Sequence, residues 1–150
     1  MQNVTPFLWF NDQAEEAMTF YTSVFKDSEI TSINRVGDSV FGGSFRIEDR
    51  VFHTLNGGPL YQFTPAISLF VNCETQEEVD ELWTKLTADG GEPGKCGWLK
   101  DKYGLSWQII PSTLGKLMRD KDAKKANQVV QAMLQMEKID IRKLQEAYNQ

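Results

Sequence analysis

The sequence predicts an α+β chain of two tandem βαβββ modules followed by a helical extension. Three observations lead there. A strand–turn–helix pattern occurs twice. Each copy is followed by short strand-length runs separated by turn residues. After Pro111 come two amphipathic stretches, each opened by an aspartate. The expected boundaries are residues 1–62 for the first module, 63–111 for the second and 112–150 for the extension, together making one structural domain.

The repeat is read by direct superposition. At an offset of 61, Trp9, Phe10 and Asn11 fall on Phe70, Val71 and Asn72. At an offset of 62, Glu15, Glu16 and Ala17 fall on Glu77, Glu78 and Val79, and Phe20, Tyr21 and Thr22 on Leu82, Trp83 and Thr84. One inserted residue between Asn72 and Gln76 accounts for the change.

Phe7 to Phe10 and Ile67 to Val71 are apolar runs of strand length. Asp12 with Glu15, and Thr75 with Glu78, have the spacing of a capping box, in which a side-chain oxygen accepts from an orphan N–H at a helix start. The first helix, over Asp12 to Phe25, would bury Ala14, Ala17, Met18, Tyr21, Val24 and Phe25. The second would bury Val79, Leu82, Trp83 and Leu86 and stop at Asp89-Gly90-Gly91. Strands are expected over Ile30 to Val36, Ser39 to Ile47 and Arg50 to Leu55, with turns at Gly37-Asp38 and Glu48-Asp49. In the second copy Gly97 to Lys100 and Leu105 to Ile110 read as strands around the Tyr103-Gly104 turn. A small sheet covered by one helix has a second, uncovered face; two copies could share those faces or curve them into one cup. In the extension, Asp122 can cap a helix carrying Ala126, Val129, Val130, Met133 and Leu134, and Asp140 one carrying Ile141, Leu144 and Tyr148.

Composition removes several functions. The net charge of −5 leaves no basic face for phosphates, so nucleic acid is not an expected partner. The cluster Lys116, Arg119, Lys121, Lys124 and Lys125 is interleaved with Asp120 and Asp122 and reads as a solvated helix surface. No apolar run reaches the ~20 residues of a membrane span, and the first residues lack a signal-peptide pattern, so no membrane association and a cytoplasmic location are expected. Cys73 and Cys96 form neither a zinc pattern nor a disulfide framework and read as reduced thiols. Glu15-Glu16 and Glu77-Glu78 sit in helix first turns, where they complement the dipole. No G-x-S-x-G elbow is present, and nothing in the sequence brings Cys73 or Cys96 to His53.

Four segments carry a resemblance: TPFLWFNDQAEEAMTFY, LNGGP (Leu55 to Pro59), CGWLKDKYGLSWQIIP (Cys96 to Pro111) and AMLQMEKIDIRKLQEAY (Ala132 to Tyr148). The chain resembles the vicinal oxygen chelate superfamily of glyoxalases, bleomycin-resistance proteins and dihydroxybiphenyl dioxygenases. Within it, the chain resembles the branch labelled 3-demethylubiquinone-9 3-methyltransferase-like. CGWLKDKYGLSWQIIP is the most specific of the four segments. A doubly wound S-adenosylmethionine enzyme needs a Gly-rich strand-to-helix turn, and none is present, so a true methyltransferase is not expected.

The superfamily's enzymes hold a divalent ion with residues that, carried over by the resemblance, are Thr5, Ala66, Gln108 and His53, with Thr54 as the alternative to His53. Ala66 cannot ligate and Thr5 is a poor ligand. One imidazole and one amide make too weak a set for Zn²⁺, Ni²⁺ or Mn²⁺. No cofactor is therefore expected; a divalent metal, were one bound, would draw on His53 and Gln108. His53, the only histidine, is either a ligand contact or a strand histidine bonded to backbone or water.

Strand alternation puts Thr5, Phe7 and Trp9 on one face, Ala66, Ser68 and Phe70 on its equivalent, Gln108 with Ile110, and His53 with Leu55. If these faces line a cup, the ligand contacts are His53, Gln108, Phe7, Trp9, Phe70 and Ser68, and the ligand is a small, partly apolar or aromatic molecule. The plainer alternative makes Phe7, Trp9 and Phe70 core. The expected function is metal-free binding or sequestration of such a molecule. The alternative is a lyase, isomerase or transferase of the superfamily with an incomplete divalent-metal site.

The resemblance also implies a homodimer. The apolar stripes of the extension need cover, from the same subunit or from a partner, and the reading here favours the partner. Light scattering at micromolar concentration should then report a dimer for the full chain, and truncation after Pro111 a monomer or an aggregate. A monomeric full-length chain would refute the dimer and mean that the extension folds back on its own modules.

Overall fold

The computed structural model describes residues 2–150. The chain divides into two compact units, Met1–Phe63 and Thr64–Gln150. The first contains β1 (Phe7–Phe10), α1 (Ala14–Val24), β2 (Ser28–Val36), β3 (Ser39–Ile47) and β4 (Arg50–Asn56). The second contains β5 (Ser68–Cys73), α2 (Gln76–Thr87), β6 (Glu92–Pro93), β7 (Trp98–Lys100) and β8 (Ser106–Pro111). It continues into α3 (Ser112–Met118), α4 (Ala123–Met133) and α5 (Ile141–Tyr148). Both sheets have the same order, β1-β4-β3-β2 and β5-β8-β7-β6, with the first strand parallel to the last and the others antiparallel. The α+β architecture and the repeat are as the sequence predicts. Neither sheet is doubly wound. The second strand of the second module, β6, is two residues long and ends in a proline, too short to register as a periodic run.

Each sheet buries one face under its own helix. In the first unit Leu8, Phe10, Phe45 and Phe52 meet Ala14, Ala17, Met18, Tyr21 and Val24 of α1, all 6% exposed or less. Phe45 stacks on Tyr21 and on Phe52 at centroid distances of 5.6 and 5.0 Å, so the core is an aromatic column. In the second unit Cys73, Leu99, Trp107 and Ile109 are buried with Val79 and Leu86 of α2.

The two helix starts differ. Thr75 accepts from the Glu78 N–H at 3.2 Å, as the spacing predicts. Asp12 caps nothing among the described residues: α1 begins at Ala14, after Gln13, without a side-chain cap of its own. The Ala14 N–H instead donates to Asn56 Oδ1 at 2.8 Å, while Asn56 Nδ2 donates to the Val40 carbonyl at 3.1 Å. The end of β4 lies beside the helix start, so a distant amide does the work assigned to a local carboxylate.

The extension corrects a second expectation. Most of its apolar residues are covered by its own module, and Leu134 is the part of the stripe left exposed, at 47%. Leu114, Val129, Met136, Ile139 and Leu144 are buried together, and Ile110 of β8 packs against them. The segment before α5 is tied to its own module by backbone bonds from Cys96 and Gly97 to the Met136 and Glu137 carbonyls, both 2.8 Å. Gln76, at the start of α2, donates to the Ile139 carbonyl at 2.9 Å and accepts from the Ile141 N–H at 2.8 Å. Lys138 pairs with Asp80 at 2.8 Å, and that bond, helped by Gln76, holds the Asp80 carboxyl below its usual range. Asp122 and Asp140 cap α4 and α5 as expected. The seven-residue α3 was not foreseen.

The CGWLKDKYGLSWQIIP segment is organised by a buried carboxylate. Asp101, 2% exposed, accepts from the Tyr103 and Leu105 N–H groups at 2.9 and 3.1 Å and from Trp107 Nε1 at 2.9 Å. Its backbone closes the same turn through the Leu105 carbonyl and the Gly104 N–H, both at 2.9 Å. Asp101→Ala would strand three donors at once. It should lower the unfolding free energy by roughly 3–5 kcal/mol, since each unsatisfied buried polar group costs about 1–3 kcal/mol. Urea denaturation measures this; a loss below ~1 kcal/mol would show that the donors find other partners.

Candidate functional site

With one face of each sheet under a helix, strand alternation leaves the other open. On the first sheet the ladder sets Phe7 beside His53, His53 opposite Ser44, and Ser44 opposite Ser32. Phe7 is 61% exposed, and its ring centroid lies 5.9 Å from that of His53, tilted by 58°. Ser44 Oγ is 2.7 Å from His53 Nδ1. Phe7 is therefore not core within its unit, and His53 is a strand histidine whose Nδ1 lies within hydrogen-bond distance of a cross-strand hydroxyl. Thr54, the alternative to His53, faces α1: it is buried and donates to the Gly43 carbonyl at 3.1 Å.

Trp9 occupies the next row but is already engaged. Its indole Nε1 donates to the Gly58 carbonyl at 2.9 Å, and Tyr61 meets it edge-on at 5.0 Å. A Cβ on Gly57 would fall on the indole ring, well inside van der Waals contact. The Gly57 and Gly58 N–H groups also bond the Phe10 and Asn11 carbonyls at 2.9 and 3.1 Å. The LNGGP motif is thus a saddle for Trp9, which makes Trp9 a fixed wall at the end of the face.

On the second sheet Phe70 stands beside Gln108, and Gln108 opposite Trp98. Phe70 is 59% exposed. Gln108 Nε2 donates to Ser68 Oγ at 3.0 Å, so two of the expected contacts hold each other. Ile110, one alternation beyond Gln108, is taken by the extension.

Thr5 and Ala66 precede β1 and β5 rather than lying in them, and the Ala66 N–H donates to Thr64 Oγ1 at 3.2 Å. Asp101 is committed to its turn. Among the described residues no group of three or more His, Cys, Asp or Glu is placed to hold a metal. The donor set therefore does not fit the superfamily's divalent ion. Cys73 is buried, which together with Glu78 and Glu74 pushes its thiol up to about 11, away from reactivity at neutral pH.

Ser44 and Trp98 escaped the sequence reading. A signal for Ser44 existed. With Glu48-Asp49 as a two-residue turn, Ile47 faces Arg50, and three steps back the same register sets Ser44 against His53.

With this geometry in view, the comparisons are informative. The family model described as 3-demethylubiquinone-9 3-methyltransferase matches residues 2–110. The chain belongs to this family. The PhnB protein from Bacillus cereus is 39% identical with a TM-score of 0.68, over 73% of this chain and 99% of its own. Protein PA1353 from Pseudomonas aeruginosa (17% identity, TM-score 0.60) and the fosfomycin resistance protein FosX from Listeria monocytogenes (16%, 0.55) share the fold. They cover 74% and 73% of this chain and 98% and 91% of their own. No curated protein matches. The family match stops before α3, so the Ala132 to Tyr148 segment lies outside it. The chain has the fold of the glyoxalase/bleomycin-resistance proteins.

Gly57→Ala should force the Trp9 ring from its saddle and break the bond to Gly58. The expected cost is about 1–3 kcal/mol, the range for overpacking. Urea unfolding provides the measure, and a neutral substitution would show that Trp9 is not held by the LNGGP segment.

Proposed function

We propose that this family member binds a small, partly apolar or aromatic molecule without a metal, using the open sheet faces. The observation that carries this reading is the exposed Phe7 ring beside the Ser44–His53 pair, an apolar platform with one convergent polar group. The second sheet offers the same chemistry in Phe70 with the Gln108–Ser68 pair. The donor set argues against the enzymatic alternative. His53 and Gln108 supply one imidazole and one neutral amide, and among the described residues no cluster of three or more His, Cys, Asp or Glu adds to them. FosX was crystallised with Mn(II), but at its level of identity only the fold transfers. A true S-adenosylmethionine methyltransferase finds no support, because the Gly-rich turn of a doubly wound sheet is missing. Among the described residues no helix is long and apolar enough to cross a membrane. A homodimer belongs to this reading on the resemblance alone, because the extension is already buried against its own module.

A thermal-shift screen of aromatic compounds tests the proposal with and without chelator. A ligand at a hundred times its Kd adds about 2.7 kcal/mol, which for a chain of this size is roughly 5–10 °C in Tm. The rise should survive chelation and shrink in His53→Ala or Gln108→Ala. One equivalent of metal retained through dialysis, and lost in His53→Ala, would overturn the metal-free reading and favour the enzyme.

A further inference from the structure

The Ser44–His53 pair does more than mark the open face, because it dictates what that face can recognise. The two residues are direct cross-strand partners of β3 and β4, so the ladder fixes their approach. At 2.7 Å the contact is a full hydrogen bond. Among the described residues the Ser44 Oγ to His53 Nδ1 contact is the side-chain hydrogen bond that either residue makes, and it leaves His53 Nε2 on the exposed side of the strand. Placing the hydroxyl proton on that bond makes Nδ1 the acceptor. A neutral imidazole carries one ring proton, which then sits on Nε2. The distance fits a donor on either side, and the Ser44 hydroxyl is taken here as the donor. Nε2 is left as a donor on an exposed residue, beside an aromatic ring that is itself 61% exposed.

We propose that Ser44, by fixing the His53 tautomer, makes the first sheet's open face selective for planar aromatic ligands bearing a hydrogen-bond acceptor, an aromatic carboxylate or carbonyl. The ring of such a ligand covers Phe7, and its acceptor takes the Nε2 proton. Ser44 is a positioning residue and His53 the specificity residue. The inference rests on the small-molecule reading above and narrows it to one ligand class. Ligands whose polar end only donates find no acceptor on His53, whose Nδ1 is already used, and can reach only the lone pairs of the Ser44 hydroxyl.

The single histidine makes the test direct, since every imidazole nitrogen signal belongs to His53. Two-bond ¹H–¹⁵N spectra at one neutral pH should show Nε2 protonated and Nδ1 unprotonated in the free protein. Titration with 2-naphthoate should shift the Nε2 signal saturably, whereas 2-naphthylmethylammonium, of similar shape but with no acceptor, should bind at least about tenfold more weakly, the scale of one charge-assisted hydrogen bond. Ser44→Ala should mix the tautomers and weaken naphthoate roughly threefold or more. His53→Phe keeps an aromatic ring beside Phe7 and should abolish the discrimination between the probes. A free protein protonated at Nδ1, equal affinity for both probes, or naphthoate affinity unchanged in Ser44→Ala would overturn the inference while leaving binding itself intact. If neither probe moved the His53 or Phe7 signals, the binding reading of this face would fall with it.

Discussion

Each module has one sheet and one helix, and a helix covers only one face of a sheet. Most of what is specific to this protein descends from that inequality. The helix-side positions Leu8, Phe10, Phe45 and Phe52 and their counterparts Leu99, Trp107 and Ile109 have no choice but to be apolar and close-packed. The alternate positions are released from packing. Phe7, His53 and Ser44 on one sheet, and Phe70, Gln108 and Ser68 on the other, occupy those released places. Large aromatic side chains left more than half exposed on a sheet face give up stabilisation of about 1.5–3 kcal/mol each, and Phe7 and Phe70 are two such side chains.

Two local devices keep these faces in register. In the first module the Asn56-Gly57-Gly58 segment joins three things. Asn56 closes the start of α1, Gly57 makes room for the Trp9 indole, and Gly58 accepts its proton. In the second module Asp101 gathers two backbone donors and the Trp107 indole into one turn, aligning β7 with β8 and hence Trp98 with Gln108. Both devices trade a short-range sequence motif for a long-range geometric result.

The extension shows how a shared fold acquires an individual feature. The family match covers the two modules and ends before α3, and the PhnB protein from Bacillus cereus aligns over almost all of its own length while leaving about a quarter of this chain without a counterpart. The added helices bury an apolar cluster that includes Ile110, and Gln76 grips both sides of the bend before α5. The glycine at position 97 belongs to this arrangement. Its φ is +84°, and a Cβ there would press on Ile110 and Ile139.

The amino-acid sequence by itself determined the repeat, the α+β class, the family and which residues share a face on the first and last strands of each module, because period-2 and period-3.6 patterns are local and each copy checks the other. It also determined the caps at Thr75, Asp122 and Asp140, where donor and acceptor are only a few residues apart. Only the tertiary structure decided that Asn56 rather than Asp12 serves α1, that Trp9 is held by Gly57 and Gly58, and that the extension lies on its own module. In each case the partners are tens of residues apart, and their meeting depends on where strand ends and turns arrive in space. The Ser44–His53 contact lies between these extremes. Counting back from the Glu48-Asp49 turn makes the two residues neighbours, but the hydrogen bond between their side chains exists only once the pleat points both toward the face that no helix covers.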